Sequence, residues 1–240
     1  MPELLVVDLG LQPYAGALEL QREVARARIA GEIDEDLLLL VEHPPVITLG
    51  RSSKTAHMLA TPEYLRERGV ELFEVERGGD VTFHGPGQLV GYPIIDLKRH
   101  RRDLHWYLRQ VEEVLIRALE TYGLVGSRKP QYTGVWIDDR KIVSIGVHAR
   151  DWVTWHGFAL NVSTDLEYFD LIVPCGISAV RMTSVNAELP NDQQTIDSVA
   201  DTVVAAAGAT FELSPHRITP EDLTAHLQTS TTIAASRAGR

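Results

Sequence analysis

Apolar positions set most of the elements of this chain. Leu4–Leu9 and Leu37–Val41 are near-continuous apolar runs of strand length, and Tyr14–Ala30 between them carries Leu18, Leu20, Val24 and Ile29 in a helical pattern. A strand–helix–strand beginning follows. Pro44 and Pro45 interrupt the chain before a short strand at Val46–Leu49, and Thr61 with Pro62 reads as the N-cap and first turn of a helix. Further strands are expected at Glu71–Val75 and Gln88–Ile95. The longest helical pattern is Asp103–Tyr122, with Leu104, Leu108, Val111, Leu115 and Leu119 on one stripe and Gly123 as its stop. Val135–Ile137 and Ile142–Val147 flank Asp138–Lys141 as a hairpin, and Thr154–Val162 continues in β-branched and aromatic residues. The last quarter reads as helical, through Thr195–Ala207 and Pro220–Gln228.

These elements predict one α/β domain over 1–228, a mixed β-sheet flanked by helices, with 229–240 as a frayed tail. A chain of 240 residues can bury a continuous core without disulfides or metals. Hydrophobic residues at 44% and charged ones at 23% match soluble globular proteins, and no apolar run is long enough to span a bilayer. The start, MPELLVVDLG, has no basic region before its apolar residues and reads as a strand, so a cytoplasmic location is expected. A formal charge of −10 argues against non-specific nucleic-acid binding, which needs Lys and Arg to neutralise phosphates. The single cysteine excludes an internal disulfide and paired-cysteine zinc sites.

That cysteine, Cys175, lies between Pro174 and Gly176 in a turn, a poor setting for pure packing. A thiol is mostly protonated at neutral pH, so a nucleophilic cysteine needs a base or a nearby positive charge. The candidates are His84, His148, His156 and Lys141, and spacing selects none of them. The second concentration of signal is RGGDVTFHGPGQLVGYP over 77–93, a flexible backbone clamp carrying Arg77, Thr82 and His84. It is not a P-loop, because no Gly-Lys-Ser/Thr follows, and it lacks the Gly-x-Gly-x-x-Gly dinucleotide pattern.

The 77–93 block, together with Thr48–Arg51, Lys141–Gly146, His156–Asn161, Pro174–Ile177 and Thr183-Ser184, resembles the octanoyltransferases that modify lipoyl domains (lipoate-protein ligase B), within the biotin/lipoate ligase superfamily. The resemblance implies the superfamily's mixed α/β fold and transfer of an octanoyl group from acyl carrier protein to a lysine of a lipoyl domain. By the same resemblance Cys175 is the nucleophile and Lys141 its activator. Acyl binding then falls to Arg77, Gly78, Gly79, Asp80, Val81, Thr82, Phe83 and His84, to Ser144, Ile145 and Gly146, and to Gly157, Phe158 and Ala159. No cofactor or metal is implied. The implied acceptors are apo lipoyl domains of 2-oxoacid dehydrogenase complexes and the glycine cleavage H protein, and the implied state is a monomer.

Thiolate attack on a thioester exchanges one thioester for another, and aminolysis to an amide runs downhill, so no ATP is needed. Lys141 could act as an ammonium favouring the thiolate or as a neutral base. An ATP-dependent lipoate or biotin ligase would not need the cysteine, and a cysteine thioesterase would release free acid. The basic run Lys98–Arg102 is a candidate surface for an acidic carrier.

Overall fold

In the computed structural model, which describes residues 1–176 and 180–238 (without the side chains of Cys175 and of 230–238), the two apolar runs of the N-terminal third become neighbouring strands. Strand β1 (Glu3–Leu11) leads through α1 (Tyr14–Ala30) to β2 (Asp36–Glu42), which pairs parallel with it. β3 (Val46–Leu49), α2 (Pro62–Glu67), β4 (Glu71–Glu74) and β5 (Val81–His84) follow. Thr61 caps α2 by accepting the Tyr64 N–H. Next come β6 (Gln88–Ile94), α3 (Leu104–Glu120), β7 (Ser127–Lys129), β8 (Tyr132–Ile137), β9 (Arg140–Arg150) and β10 (Val153–Asn161). The chain closes with β11 (Arg181–Met182), α4 (Val185–Glu188), α5 (Ile196–Phe211), β12 (Ser214–Ile218) and α6 (Pro220–Ala238).

Among the described residues the strands form a nine-stranded mixed sheet, ordered β12-β1-β2-β6-β10-β9-β8-β7 with β11 on β9, and a three-stranded sheet β4-β3-β5. The central strands β6 and β10 are buried along their whole length, which requires cover on both faces. Side chains alternate between the faces. Leu38, Leu40, Leu89, Phe158 and Leu160 pack with Val111, Leu115 and Leu119 of α3 and Val199 and Val203 of α5. Leu37, Leu39, Val90, Tyr92 and Ala159 pack with Ala17, Val24 and Ala25 of α1 and Leu223 of α6. No helix among the described residues is long and apolar enough to cross a membrane.

Three expectations change. The last quarter is not wholly helical, because Ser214–Ile218 adds to the sheet beside β1. Its sequence, SPHRI, has no alternation to betray it, since four of its five residues are exposed on an edge. The last helix runs past Gln228 to Ala238, through a stretch without glycine or proline to stop it. The glycine-rich block, read as a flexible clamp, contains a buried strand, Val81–His84, which Gly85-Pro86-Gly87 turns into β6.

Candidate active site

The clamp is held in place by its neighbours. The amides of Gly50, Arg51 and Ser52 donate to the carbonyls of Asp80, Arg77 and Gly79, and the Gly78 N–H donates to Val147 of β9. Arg77 is buried, its guanidinium donating to the Thr48 carbonyl at 2.7 Å and the Thr48 hydroxyl at 2.9 Å. The segment expected to be a flexible backbone is therefore a pinned wall.

Behind this wall lies a cavity of about 460 Å³, floored by Val90 and Tyr92 of β6 and Ala159 of β10. Of the residues assigned to acyl binding, Arg77, Gly78, Gly79, Asp80, Thr82, His84, Ser144, Ile145, Gly146, Gly157, Phe158 and Ala159 line it. Val81 and Phe83 do not. On a strand alternate residues face opposite ways, and these two turn into a separate core with Ile47, Phe169 and Ile172, where Phe83 stacks on Tyr168 at 4.7 Å. The cavity also recruits residues that the sequence reading missed, among them Tyr14, Leu104, Leu108 and Tyr132. Leu104 is 39% exposed, so the first residue of the α3 stripe lines the cavity instead of entering the core.

Lys141 lies in the cavity wall and is only 1% exposed, so it is no ordinary hairpin lysine. It pairs with Trp136 of β8 on one side and Met182 of β11 on the other, with its Nζ 5.1 Å from the Trp136 ring centre. Its stem lies against Gly134, where φ is +140° and an added Cβ would sit 2.8 Å from Lys141 Cε. The Gly134 N–H donates to Oε1 of Glu112 at 3.1 Å, and Oε2 of this buried carboxylate accepts from Arg109 at 2.6 Å and Arg128 at 3.0 Å. A buried amide relay joins the glycine block to the same strand: Gln88 donates to Asn161, Asn161 to the Thr183 carbonyl, and the Thr183 N–H to the Lys141 carbonyl.

The candidate histidines differ in setting. His84 Nδ1 donates to the Gln88 side-chain oxygen at 2.9 Å, and burial pushes its pKa down to about 3. Burial also lowers His156, only partly offset by the Glu76 carboxylate 3.7 Å away. His148 is lowered by burial and packs edge-on to Trp155 at 4.2 Å. Tyr14, stacked on His84, has its hydroxyl raised by burial to about 12. Of these rings Tyr14, His84 and His156 line the cavity, together with Arg77. Among the described residues no group of three or more His, Cys, Asp and Glu side chains could hold a metal ion.

Cys175 belongs by its backbone to the 3₁₀ turn Pro174–Gly176; its side chain, and Ile177 of the same motif, lie outside the described residues. The turn itself is placed: Gly176 packs against Asp80, a cavity residue, and the Val173 N–H donates to the His57 carbonyl at 2.8 Å. His57 was missed because a single histidine in SSKTAHML carries no pattern. The run Lys98–Arg102 is largely spoken for. Lys98 faces Asp96 at 3.5 Å, His100 faces Asp36 at 2.7 Å, Arg99 donates to the Asp34 carbonyl, and Arg101 faces Asp103 at 3.4 Å.

The lipoyl protein ligase A/B catalytic domain family matches residues 13–208. An octanoyltransferase of Rubrobacter xylanophilus is 60% identical over 182 residues, covering 75% of this chain and 81% of its own. The chain belongs to the octanoyltransferases of this family. Those of Nostoc sp. (47% identical, 87% and 92% covered) and Acidobacterium capsulatum (46%, 95% and 98%) extend the match over nearly the full length. The octanoyltransferase fold is shared with lipoate-protein ligase A bound with ATP, at a TM-score of 0.74 and 17% identity over 96% of this chain and 95% of that one. A bipartite lipoate protein ligase from Thermoplasma acidophilum gives 0.73 and 17% over 95% and 92%. At such identity these two speak for the fold alone. The octanoyltransferase relatives make the chain an acyltransferase of protein lipoylation.

Proposed function

We propose that the chain moves an octanoyl group from acyl carrier protein, through a thioester on Cys175, to a lysine of an apo lipoyl domain. The observation that supports this most is that residues of the clamp 77–84 and the buried Lys141 line one cavity, while the Cys175 turn rests through Gly176 on Asp80 of that cavity. In the first step Cys175 sulfur bonds to the acyl carbon as the carrier's phosphopantetheine sulfur leaves with the thiol proton. In the second an acceptor amine bonds to that carbon and Cys175 leaves. As an ammonium, Lys141 would favour the thiolate in both steps. Arg77–Asp80, Thr82, His84, Ser144–Gly146 and Gly157–Ala159 hold the chain, while Val81 and Phe83 support the wall from its far side.

Lipoyl domains of 2-oxoacid dehydrogenase complexes and the glycine cleavage H protein are the acceptors on this reading, and the cytoplasm is the site of action. The test is incubation with octanoyl-acyl carrier protein and an apo lipoyl domain without ATP. The expected product is octanoyl amide on the domain's lysine. Formation of free octanoic acid would mean a thioesterase, and a requirement for ATP would mean a ligase.

A further inference from the structure

The second step needs a proton acceptor. A cation that stabilises the departing thiolate cannot in the same step take the proton of the incoming amine, so Lys141 in that role leaves the position open. His57 fits it. Its Nδ1 lies 2.6 Å from Asp80 Oδ2, while Asp80 Oδ1 accepts the Val81 N–H at 2.8 Å. A carboxylate only accepts, so Nδ1 carries a proton, and in the neutral ring the lone pair is then on Nε2, the tautomer a general base requires. Among the described residues Nε2 has no hydrogen-bond partner, and the imidazole is 20% exposed against 9% for Asp80.

The pair is built into the nucleophile's turn. Gly176, the residue after Cys175, has φ +65°, and a Cβ there would sit 2.6 Å from Asp80 Oδ2 and 3.0 Å from His57 Cε1. Only glycine lets the turn rest on the imidazole and carboxylate this closely. Asp80 lines the acyl cavity and His57 does not, so the imidazole borders the turn without occupying space needed by the acyl chain.

We propose that His57, oriented by Asp80, is the proton acceptor of the amide-forming step; this rests on the two-step transfer described above. The neutral acceptor amine attacks the thioester carbonyl, and His57 Nε2 takes the surplus proton from the nitrogen. The C–N bond remains, the C–S bond breaks, Cys175 leaves as thiolate, and the imidazolium then gives its proton to water.

The experiment measures the half-reactions separately in His57→Gln, His57→Ala and Asp80→Asn. Octanoyl loading from acyl carrier protein is followed by intact mass, and release is followed with either an apo lipoyl domain or hydroxylamine, which cleaves thioesters without a protein base. For His57→Gln we expect loading within about twofold of the unaltered protein, hydroxylamine release unchanged, and transfer to the domain slowed by about 10²-fold or more. Asp80→Asn, which keeps the volume but not the charge, should slow the same step. Unchanged transfer in the His57 variants overturns the proposal. Equal slowing of loading and transfer overturns it as well, by making the pair a support of the turn. Failure of the unaltered protein to load any octanoyl group contradicts the two-step reading instead.

Discussion

Replacing Gly134 by alanine tests whether Lys141 works from the position the fold gives it. Gly134 has φ +140°, and a Cβ there would lie 2.5 Å from the Val143 carbonyl oxygen and 2.8 Å from Lys141 Cε. Ordinary contact begins near 3.4 Å, so the carbonyl and the lysine stem must withdraw by roughly 0.9 and 0.6 Å, the differences 3.4 − 2.5 and 3.4 − 2.8. Backbone strain at such a φ costs about 1–3 kcal/mol. For a chain of this size that lowers Tm by about 2–12 °C. A displacement approaching 1 Å in a reacting group can cost about 10²-fold in rate. The assay is the single-turnover rate of octanoyl loading at a temperature where the variant is fully folded. A fall near the hundredfold scale, with Glu112 and its arginines untouched, is expected. A folded Gly134→Ala protein that loads octanoyl at the unaltered rate would refute the claim that the position of Lys141 matters.

Glu112→Ala removes the acceptor of the buried Gly134 N–H, which costs about 1–3 kcal/mol and should appear in urea unfolding; an unchanged midpoint would contradict that bond. Burial holds His43 at about 4 and His84 at about 3, against 6.5 for free imidazole. Below pH 6.5 the unfolded chain therefore binds protons that the folded chain refuses. Stability is lost as pH falls toward those values, in full by about 3 kcal/mol for His43 and about 5 kcal/mol for His84. His43→Gln should lose less between pH 7 and pH 4, and identical losses would deny the effect. Hydrogen exchange should find the Arg51, Ser52 and Gly78 amides protected without any acyl ligand, because the clamp is already pinned; rapid exchange there would restore the flexible clamp.

What the sequence could reveal follows physical range. The central strands were legible because Leu37–Val41 and Gln88–Ile95 are apolar on both faces, and α3 because its stripe has helical period. Where that stripe stops being core was not legible, since Leu104 and Leu108 look like Leu115 until the cavity beside them is known. The split within 77–84 was available from alternation alone once Val81–His84 is taken as a strand: Thr82 and His84 face one side, Val81 and Phe83 the other. Lys141 sits in a hairpin the sequence did show, with Gly134 and Trp136 on its partner strand, but its burial in a cavity wall and the hold of Glu112 of α3 on the Gly134 amide arise only in the tertiary structure. His57 was beyond reach for the same reason, because its partner Asp80 is 23 residues away and its contact with the Cys175 turn spans more than a hundred.

A thioester at Cys175 is the proposed intermediate, and intact-mass measurement after exposure to octanoyl-acyl carrier protein without ATP detects it. One octanoyl group should be added to the unaltered protein, removed on addition of an apo lipoyl domain and absent from Cys175→Ala. An adduct that persists in Cys175→Ala, or transfer by that variant at the unaltered rate, would contradict it.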